Sequence, residues 1–387
     1  ASSARIRPRF ATGSGLADAA VKILVVNAGS SSLKLRLLGD GDEIVHSADL
    51  PALGAQAASP ALSEAISALG SVDGVGHRIV HGGSEFAGAV LVDPGVVERL
   101  EALTDLAPLH QPKSLMALRV VTSLLPDAPA VACFDTAFHR SIPAAAATYA
   151  LPAEWRQRFD LRRFGFHGLS HGYASSRTAD VLGRPLETLR IVTCHLGAGA
   201  SLAAVAAGRS VDTTMGFTPL DGLVMATRSG SLDPGLLLWL EEHVGTPPSE
   251  LADTLQHRSG LLGLSGTSDM RELIRRVDSG DGRAQLGLDV YLHRLRAGIA
   301  SMAAAMGGID ALAFTGGVGE NSSRVRELAV HGLAFLGMQL DEAANLGCEG
   351  DGVISTGSSA VAVLAIAARE DLQISKQTRE VLGELRS

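Results

Sequence analysis

The sequence predicts an α/β protein of two domains, and three observations carry that expectation. The first is size and composition: 387 residues, 46% hydrophobic, 19% charged and only 4% aromatic, with 44 glycines. Such a chain buries two cores and makes many close backbone contacts. The second is the stretch Val21–Arg36, VKILVVNAGSSSLKLR. An apolar run, Ile23–Val26, ends at Asn27-Ala28-Gly29, and beyond the serines Leu33, Leu35 and Leu37 alternate with Lys34 and Arg36 as in a half-buried strand. The third is Arg190–Arg209, RIVTCHLGAGASLAAVAAGR, which repeats this strand, small-residue turn and strand 168 residues later, counted from Asn27 to His195. A duplicated unit at that spacing points to two related domains facing one ligand.

The charge excludes some partners. The net charge is −8 with no basic run, so nucleic acid and anionic membrane are poor matches, and an anionic ligand needs a local cationic site. Cys133, Cys194 and Cys348 show no CxxC spacing. They read as free thiols, the first two buried, in a reducing cytoplasm. No apolar run approaches the ~20 residues of a membrane span. Residues 1–20 lack the apolar centre of a secretory signal and read as a disordered tail.

In order along the chain, Ala61–Leu69 reads as helix and Gly74–Gly83 as a glycine-broken strand carrying Arg78. Pro94–Leu106 is helical, Leu109–Pro112 a turn, and Lys113–Leu125 helical. Ala130–Phe138 is a buried strand running into Asp135, and Pro143–Tyr149 is loop. Tyr173–Leu182 and Leu236–His243 are helical, Asp212–Pro234 is loop-like, and Arg258–Met270 is a polar turn. Asp289–Met306 is one long amphipathic helix. Ala311–Phe314 is a strand followed by a glycine turn and a helix through Leu328, and Ala360–Arg369 is a helix leading to Glu370.

Several positions bear chemistry. The first turn gathers N–H groups, hydroxyls and Lys34 in a small volume, which suits a phosphate, although GxxxxGK[ST] is absent. Thr315–Gly319 follows a strand and opens a helix, either as a nucleotide-docking turn or as an ordinary connection. Arg78 and Arg228 lie in tight small-residue surroundings, as forks for a carboxylate or phosphate or as structural ion pairs. Asp135 at a strand end suits Mg²⁺, a proton, or a turn. His167, His171 and His195 are not a zinc site, because neither HExxH nor nearby cysteines accompany them. No GxGxxG follows the opening strand.

Taken as an ordered set, NAGSSSLK (27–34), GHRIVHGG (76–83), FDTAFH (134–139), FGFHGLSH (164–171), HLGAGAS (195–201), ATRSGSLDPG (226–235) and FTGGVGENS (314–322) closely resembles the acetate kinase family, which includes propionate and butyrate kinases. The resemblance runs from about Lys22 to about Gln377. It implies the two-domain fold, with a duplicated mixed-sheet core, shared by sugar kinases, actin and heat-shock chaperone ATPases. The implied halves are 21–140 plus 371–387, and a nucleotide-binding 141–370. It further implies a homodimer that makes acetyl phosphate and ADP from acetate and ATP with Mg²⁺, for which Mn²⁺ substitutes.

Carried over by position, Asn27 and Glu370 resemble the magnesium-site residues and Lys34 a nucleotide-binding lysine. Arg78 resembles the substrate arginine and Asp135 the catalytic aspartate. His167 and Arg228 resemble transition-state stabilisers, and His110 and His195 the other phosphate-facing histidines. His195, Leu196, Gly197, Ala198 and Gly199 match ATP-binding stretches, as do Asp269, Met270 and Arg271 and then Gly317, Val318, Gly319, Glu320 and Asn321. Val80, Leu109, Phe166 and Pro219 match the small apolar acyl pocket. Two departures stand out: Ala198 replaces the family's usual Asn, and Gln111-Pro112-Lys113 replaces Asn-Pro-Ala. The first implies weaker phosphate contact, and the second bears on acyl-chain length. The other readings are a propionate or butyrate kinase, and a non-catalytic nucleotide-binding protein on the actin-like fold. The implied hinges lie near Phe138–Pro143 and Ala368–Leu372.

Overall fold

A computed structural model describes residues 21–29, 32–52, 60–107 and 110–385. The N-terminal tail, Ser30 and Ser31 of the first turn, and Leu109 lie outside the described residues.

The chain forms two six-stranded mixed sheets with one topology. In the first, β1 (Ile23–Ala28), β2 (Ser32–Leu38) and β3 (Ile44–Pro51) form an antiparallel meander. β4 (Gly74–Ile79) lies parallel to β1, β6 (Ala130–Phe134) parallel to β4, and β5 (Val90–Leu91) antiparallel on the edge, giving the order β3-β2-β1-β4-β6-β5. The second sheet repeats this with β7 (Arg190–Leu196), β8 (Ala200–Ala206), β9 (Arg209–Thr213), β10 (Ala311–Thr315), β11 (Gly352–Val353) and β12 (Ala362–Ala365). Its order is β11-β12-β10-β7-β8-β9. The two strand–turn–strand units read from sequence are β1–β2 and β7–β8, so the duplicated mixed-sheet core is present.

Helices cover both faces of each sheet. Leu24, Val26 and Val75 pack on one side with Ala117 and Val121 of helix Gln111–Leu124, while Ile23, Val25 and Cys133 pack on the other with Ile374 and Leu382 of helix Glu370–Glu384. In the second sheet, Ile191, Ala203 and Ala313 pack under helix Gly168–Leu182. Val192, Leu202 and Phe314 pack under the long helix Gly282–Ala305. Helices Gly168–Leu182 and Glu370–Glu384 also pack on each other and so join the two sheets. Gly76 permits this: a Cβ there would run into Thr378 and Ile374 of the covering helix, which explains a glycine inside a buried strand.

Several expectations are corrected. Ala360–Arg369 is not a helix: it holds β12, and Glu370 begins the following helix instead of ending one. Its alanines favour helix locally, but Val361, Val363, Leu364 and Ile366 are all buried, as in a parallel strand covered on both faces. The expected turn at Leu109–Pro112 yields its Gln111-Pro112 to the helix Gln111–Leu124, whose first turn tolerates proline. Short helices Ala144–Ala147 and Gly260–Ser265 occupy stretches read as loop and turn. The helix read from Tyr173 starts at Gly168, and the one read from Asp289 starts at Gly282. No helix of the described residues is long and apolar enough to cross a membrane.

Candidate active site

The C-terminal ends of the parallel strands in both sheets open on one cleft of about 1510 Å³. That is where ligands sit in open α/β sheets. Asn27 near the end of β1, Arg78 in β4 and Asp135 just after β6 project from the first sheet, and all three line the cleft. Arg78 donates through Nε and Nη2 to Asp135, with Nη2···Oδ2 at 2.6 Å, and through Nη1 to Asn27 Oδ1 at 3.2 Å. Asn27 Nδ2 donates to Glu370 Oε2 at 2.9 Å. One arginine is therefore held between two carboxylates, and one N–H on each of its terminal nitrogens stays uncommitted.

The electrostatics follow from burial. Asp135 is 1% exposed. Burial raises its carboxyl pKa, and the nearby Glu370 charge adds to the rise against the pull of Arg78. Burial also acts to raise Glu370, but Arg78, His195, Asn27 and Lys34 outweigh it and hold that carboxyl below its usual range. Glu370 is also the first residue of its helix, where the helix dipole favours a negative charge.

The second sheet contributes differently. The end of β7 gives His195 and the turn Gly197–Gly199, and the end of β10 leads into helix Gly316–Asn321. His167 and His195 stack with centroids 4.2 Å apart. His167 has φ +56, a left-handed backbone uncommon for a side chain other than glycine. The strain is held in place. His139 Nε2 donates to the Phe166 carbonyl at 3.0 Å, and the Gly168 N–H donates to the Asp135 carbonyl at 2.9 Å. A Cβ on Gly168 would collide with that carbonyl, so the FGFHG run is spaced to bring His167 beside Asp135.

Arg228 sits in the loop after β9. It donates to His110 Nε2 at 3.2 Å and to the Pro219 carbonyl at 3.4 Å. Burial, with Arg228 and Arg78 nearby, pushes His110 down to about 4, so it is neutral and accepts. The loop is anchored by the Ala226 N–H donating to the Ala198 carbonyl at 3.1 Å. This backbone contact does not use the side chain missing at Ala198.

Of the residues singled out from sequence, Lys34, Val80, Phe166, Pro219, Asp269, Met270, Arg271, Gly317, Val318 and Asn321 also line the cleft. Asp269 caps helix Met270–Asp278 and pairs with Arg271, which holds its carboxyl down at about 2. Leu196 and Gly319 do not line it, because both are buried in the second domain. Glu320 turns away too and accepts the Ala368 N–H at 2.9 Å, clamping the segment before Glu370. Gln111 is also outside the cleft. It is fully buried, exchanges hydrogen bonds with the His81 backbone, and donates to the Leu100 carbonyl. Its neighbour Lys113 does line the cleft. Sequence reasoning missed Lys113 as well as Arg326, which is 1% exposed and donates to the carbonyls of Gly319 and Glu320 behind the glycine turn.

Comparison with known proteins gives one family. The model of the acetokinase family matches residues 52–376. The chain is 42% identical over 403 residues to an acetate kinase of Thermotoga maritima, covering 94% of this chain and 100% of that one. It is 40% identical to one of Carboxydothermus hydrogenoformans, covering 94% and 99%. Among solved structures, Porphyromonas gingivalis acetate kinase superposes with a TM-score of 0.86 at 35% identity, covering 94% and 100%. A propionate kinase from Francisella tularensis superposes with a TM-score of 0.86 at 34% identity, covering 93% and 100%.

Proposed function

This chain belongs to the acetokinase family, and from that premise we propose that it transfers the γ-phosphoryl group of ATP to acetate, giving acetyl phosphate and ADP. A carboxylate oxygen attacks the γ-phosphorus, the bond to the β–γ bridging oxygen breaks, and its electron pair leaves with ADP. The observation that carries the reading is the convergence of Arg78, Asp135, Arg228, His167 and two glycine turns on one cleft.

Two anions that repel each other must be held in line. Arg78, fixed by Asp135 and Asn27, neutralises the carboxylate of the acceptor. Arg228 and His167 take up charge on the transferring phosphoryl oxygens. Val80, Phe166 and Pro219 enclose the methyl end. Lys34, the turn Gly197–Gly199 and the Gly317, Val318 and Asn321 positions of helix Gly316–Asn321 hold the nucleotide phosphates. Acetate is ionised at neutral pH, so no general base is required, and Asp135 acts by fixing Arg78. Closure of the halves about Phe138–Pro143 and Ala368–Leu372 excludes water.

The same residues fit Mg²⁺. Glu370 keeps Oε1 without a hydrogen-bond partner among the described residues, and the two carboxylates are linked only through Arg78, bonded to Asp135, and Asn27, bonded to Glu370. That is a hard-oxygen, anionic environment of the kind Mg²⁺ enters together with substrate phosphates. Glu370, Asn27 and Asp135 would hold the ion, which supplies charge neutralisation at the phosphates.

We also infer a homodimer in the cytoplasm. Leu236, Leu238, Trp239 and Val244 are 44%, 58%, 51% and 59% exposed on adjoining turns. Apolar surface of that density marks an interface, and light scattering should give twice 39.9 kDa. The buried thiols of Cys133 and Cys194 suit a reducing compartment.

The decisive experiment offers acetate, propionate and butyrate with ATP and traps acyl phosphate with hydroxylamine. Acetate should give the highest kcat/KM. A preference for propionate or butyrate would replace the acyl assignment, and ATP turnover independent of any carboxylate would overturn the reading.

A further inference from the structure

Behind His167 runs a chain of side chains that the reaction as proposed does not use. Thr193 Oγ1 in β7 lies 2.7 Å from His171 Nδ1, and His171 Nε2 lies 2.7 Å from Ser201 Oγ in β8. Ser201 Oγ in turn lies 2.9 Å from His167 Nδ1. Thr193, His171 and Ser201 are all 0% exposed.

The proton positions follow from satisfaction. A buried hydroxyl needs an acceptor for its one proton. Among the described residues Thr193 Oγ1 has a single hydrogen-bond neighbour, His171 Nδ1. Thr193 therefore donates there, and the proton of neutral His171 sits on Nε2. His171 Nε2–H donates to Ser201 Oγ, and the Ser201 proton has only His167 Nδ1 left to receive it. His167 then carries its own proton on Nε2. The opposite assignment leaves the Thr193 hydroxyl proton without an acceptor.

We propose that Thr193, His171 and Ser201 are positioning residues that fix His167 as the Nε2–H tautomer, so that it presents one neutral donor to the transferring phosphoryl group. The donor is aimed correctly for that task. The position a Cβ would take on Gly199 lies 3.4 Å from His167 Nε2 and 3.6 Å from Arg228 Nη1, so the histidine N–H and the guanidinium face the same space. His195 repeats the device: Ser170 Oγ lies 2.8 Å from its Nδ1, has no other partner among the described residues, and leaves Nε2 toward the turn at Gly197. Burial, with Arg78 and Arg228 nearby, holds His167 well below its usual range and keeps the ring neutral. A neutral ring has a tautomer to choose, and a tautomer held by its outer partner is a common way to orient a histidine.

The inference rests on the role given to His167 above, but its test does not depend on turnover. ¹⁵N-histidine-labelled wild-type protein, with His167 assigned by loss of its signals in His167→Ala, should show long-range ¹H–¹⁵N couplings of a protonated Nε2 and a bare Nδ1. Thr193→Val, which keeps shape and removes the hydroxyl, should mix the tautomers at His167. It should lower kcat on the order of 10- to 100-fold, as for other groups that orient a histidine, with KM for ATP and acetate little changed. Thr193→Ser should restore both the spectrum and kcat. A wild-type proton on Nδ1, a Thr193→Val protein with the tautomer unchanged, or a Thr193→Ser protein that behaves like Thr193→Val overturns the proposal. The wild-type spectrum decides alone if Thr193→Val does not fold. If His167→Ala keeps full turnover, the assigned role of His167 falls while the spectrum still reports on the chain behind it.

Discussion

The two sheets share strand order, direction and edge pairing, yet what they bring to the cleft differs. The first sheet ends its strands in committed side chains: Asn27, Arg78 and Asp135 form one hydrogen-bonded group with Glu370. The second ends its strands in glycine turns and neutral histidines. One topology thus supplies localised charge on one wall and backbone N–H groups on the other. A carboxylate acceptor needs the former and a chain of phosphates is well served by the latter. The halves also treat buried histidines differently. His171 and His195 of the second half have hydroxyl partners, whereas among the described residues both ring nitrogens of His77 and Nε2 of His81 in the first have none.

The largest expected effect tests the division between walls. Asp135→Asn and Arg228→Ala should each reduce kcat by about 10²–10³. ATP binding, measured by calorimetry, should stay close to wild type because the nucleotide contacts come from other residues. Loss of ATP binding in Asp135→Asn would break the comparison, since the hydrogen-bonded group at the strand ends of the first sheet would then also serve the nucleotide.

The smaller effect concerns the unpartnered histidine. Burial pushes His77 down to about 3, so it stays neutral in the folded chain while the unfolded chain binds its proton near 6.5. The unfolded state thus holds more protons between about 3 and 6.5, and stability rises with pH through that window and falls as pH drops. His77→Leu removes that proton and two unmatched nitrogens. Urea unfolding at pH 5 and pH 7 should show a stability difference smaller than wild type by up to about 2 kcal/mol, with kcat unchanged. An unaltered pH slope would remove His77 as a source of the contrast.

Much of this was readable in the residues. Apolar runs ending in small-residue turns marked β1–β2 and β7–β8, because alternation and strand ends are local signals. The motif set led to most of the cleft lining. Three things were not legible. The Ala-rich β12 looked helical because its burial comes from neighbours distant in sequence. The pairing of Arg78 with Asp135 depends on β4 lying beside β6, which no spacing reveals. Thr193 and Ser201 are unremarkable in a sequence, His171 drew only the rejected zinc reading there, and only the register of β7 with β8 under helix Gly168–Leu182 lines up their polar atoms.

Gly76 and the helix it accommodates carry a consequence for biosynthesis. The apolar face made by Ile23, Val25 and Cys133 is sealed by Ile374 and Leu382, which leave the ribosome hundreds of residues later. The lobe translated first must therefore wait, partly open, until the lobe translated second has been made and the closing helix emerges. Folding of the first lobe alone, the common order for multidomain chains, leaves that apolar face uncovered until the closing helix has been made.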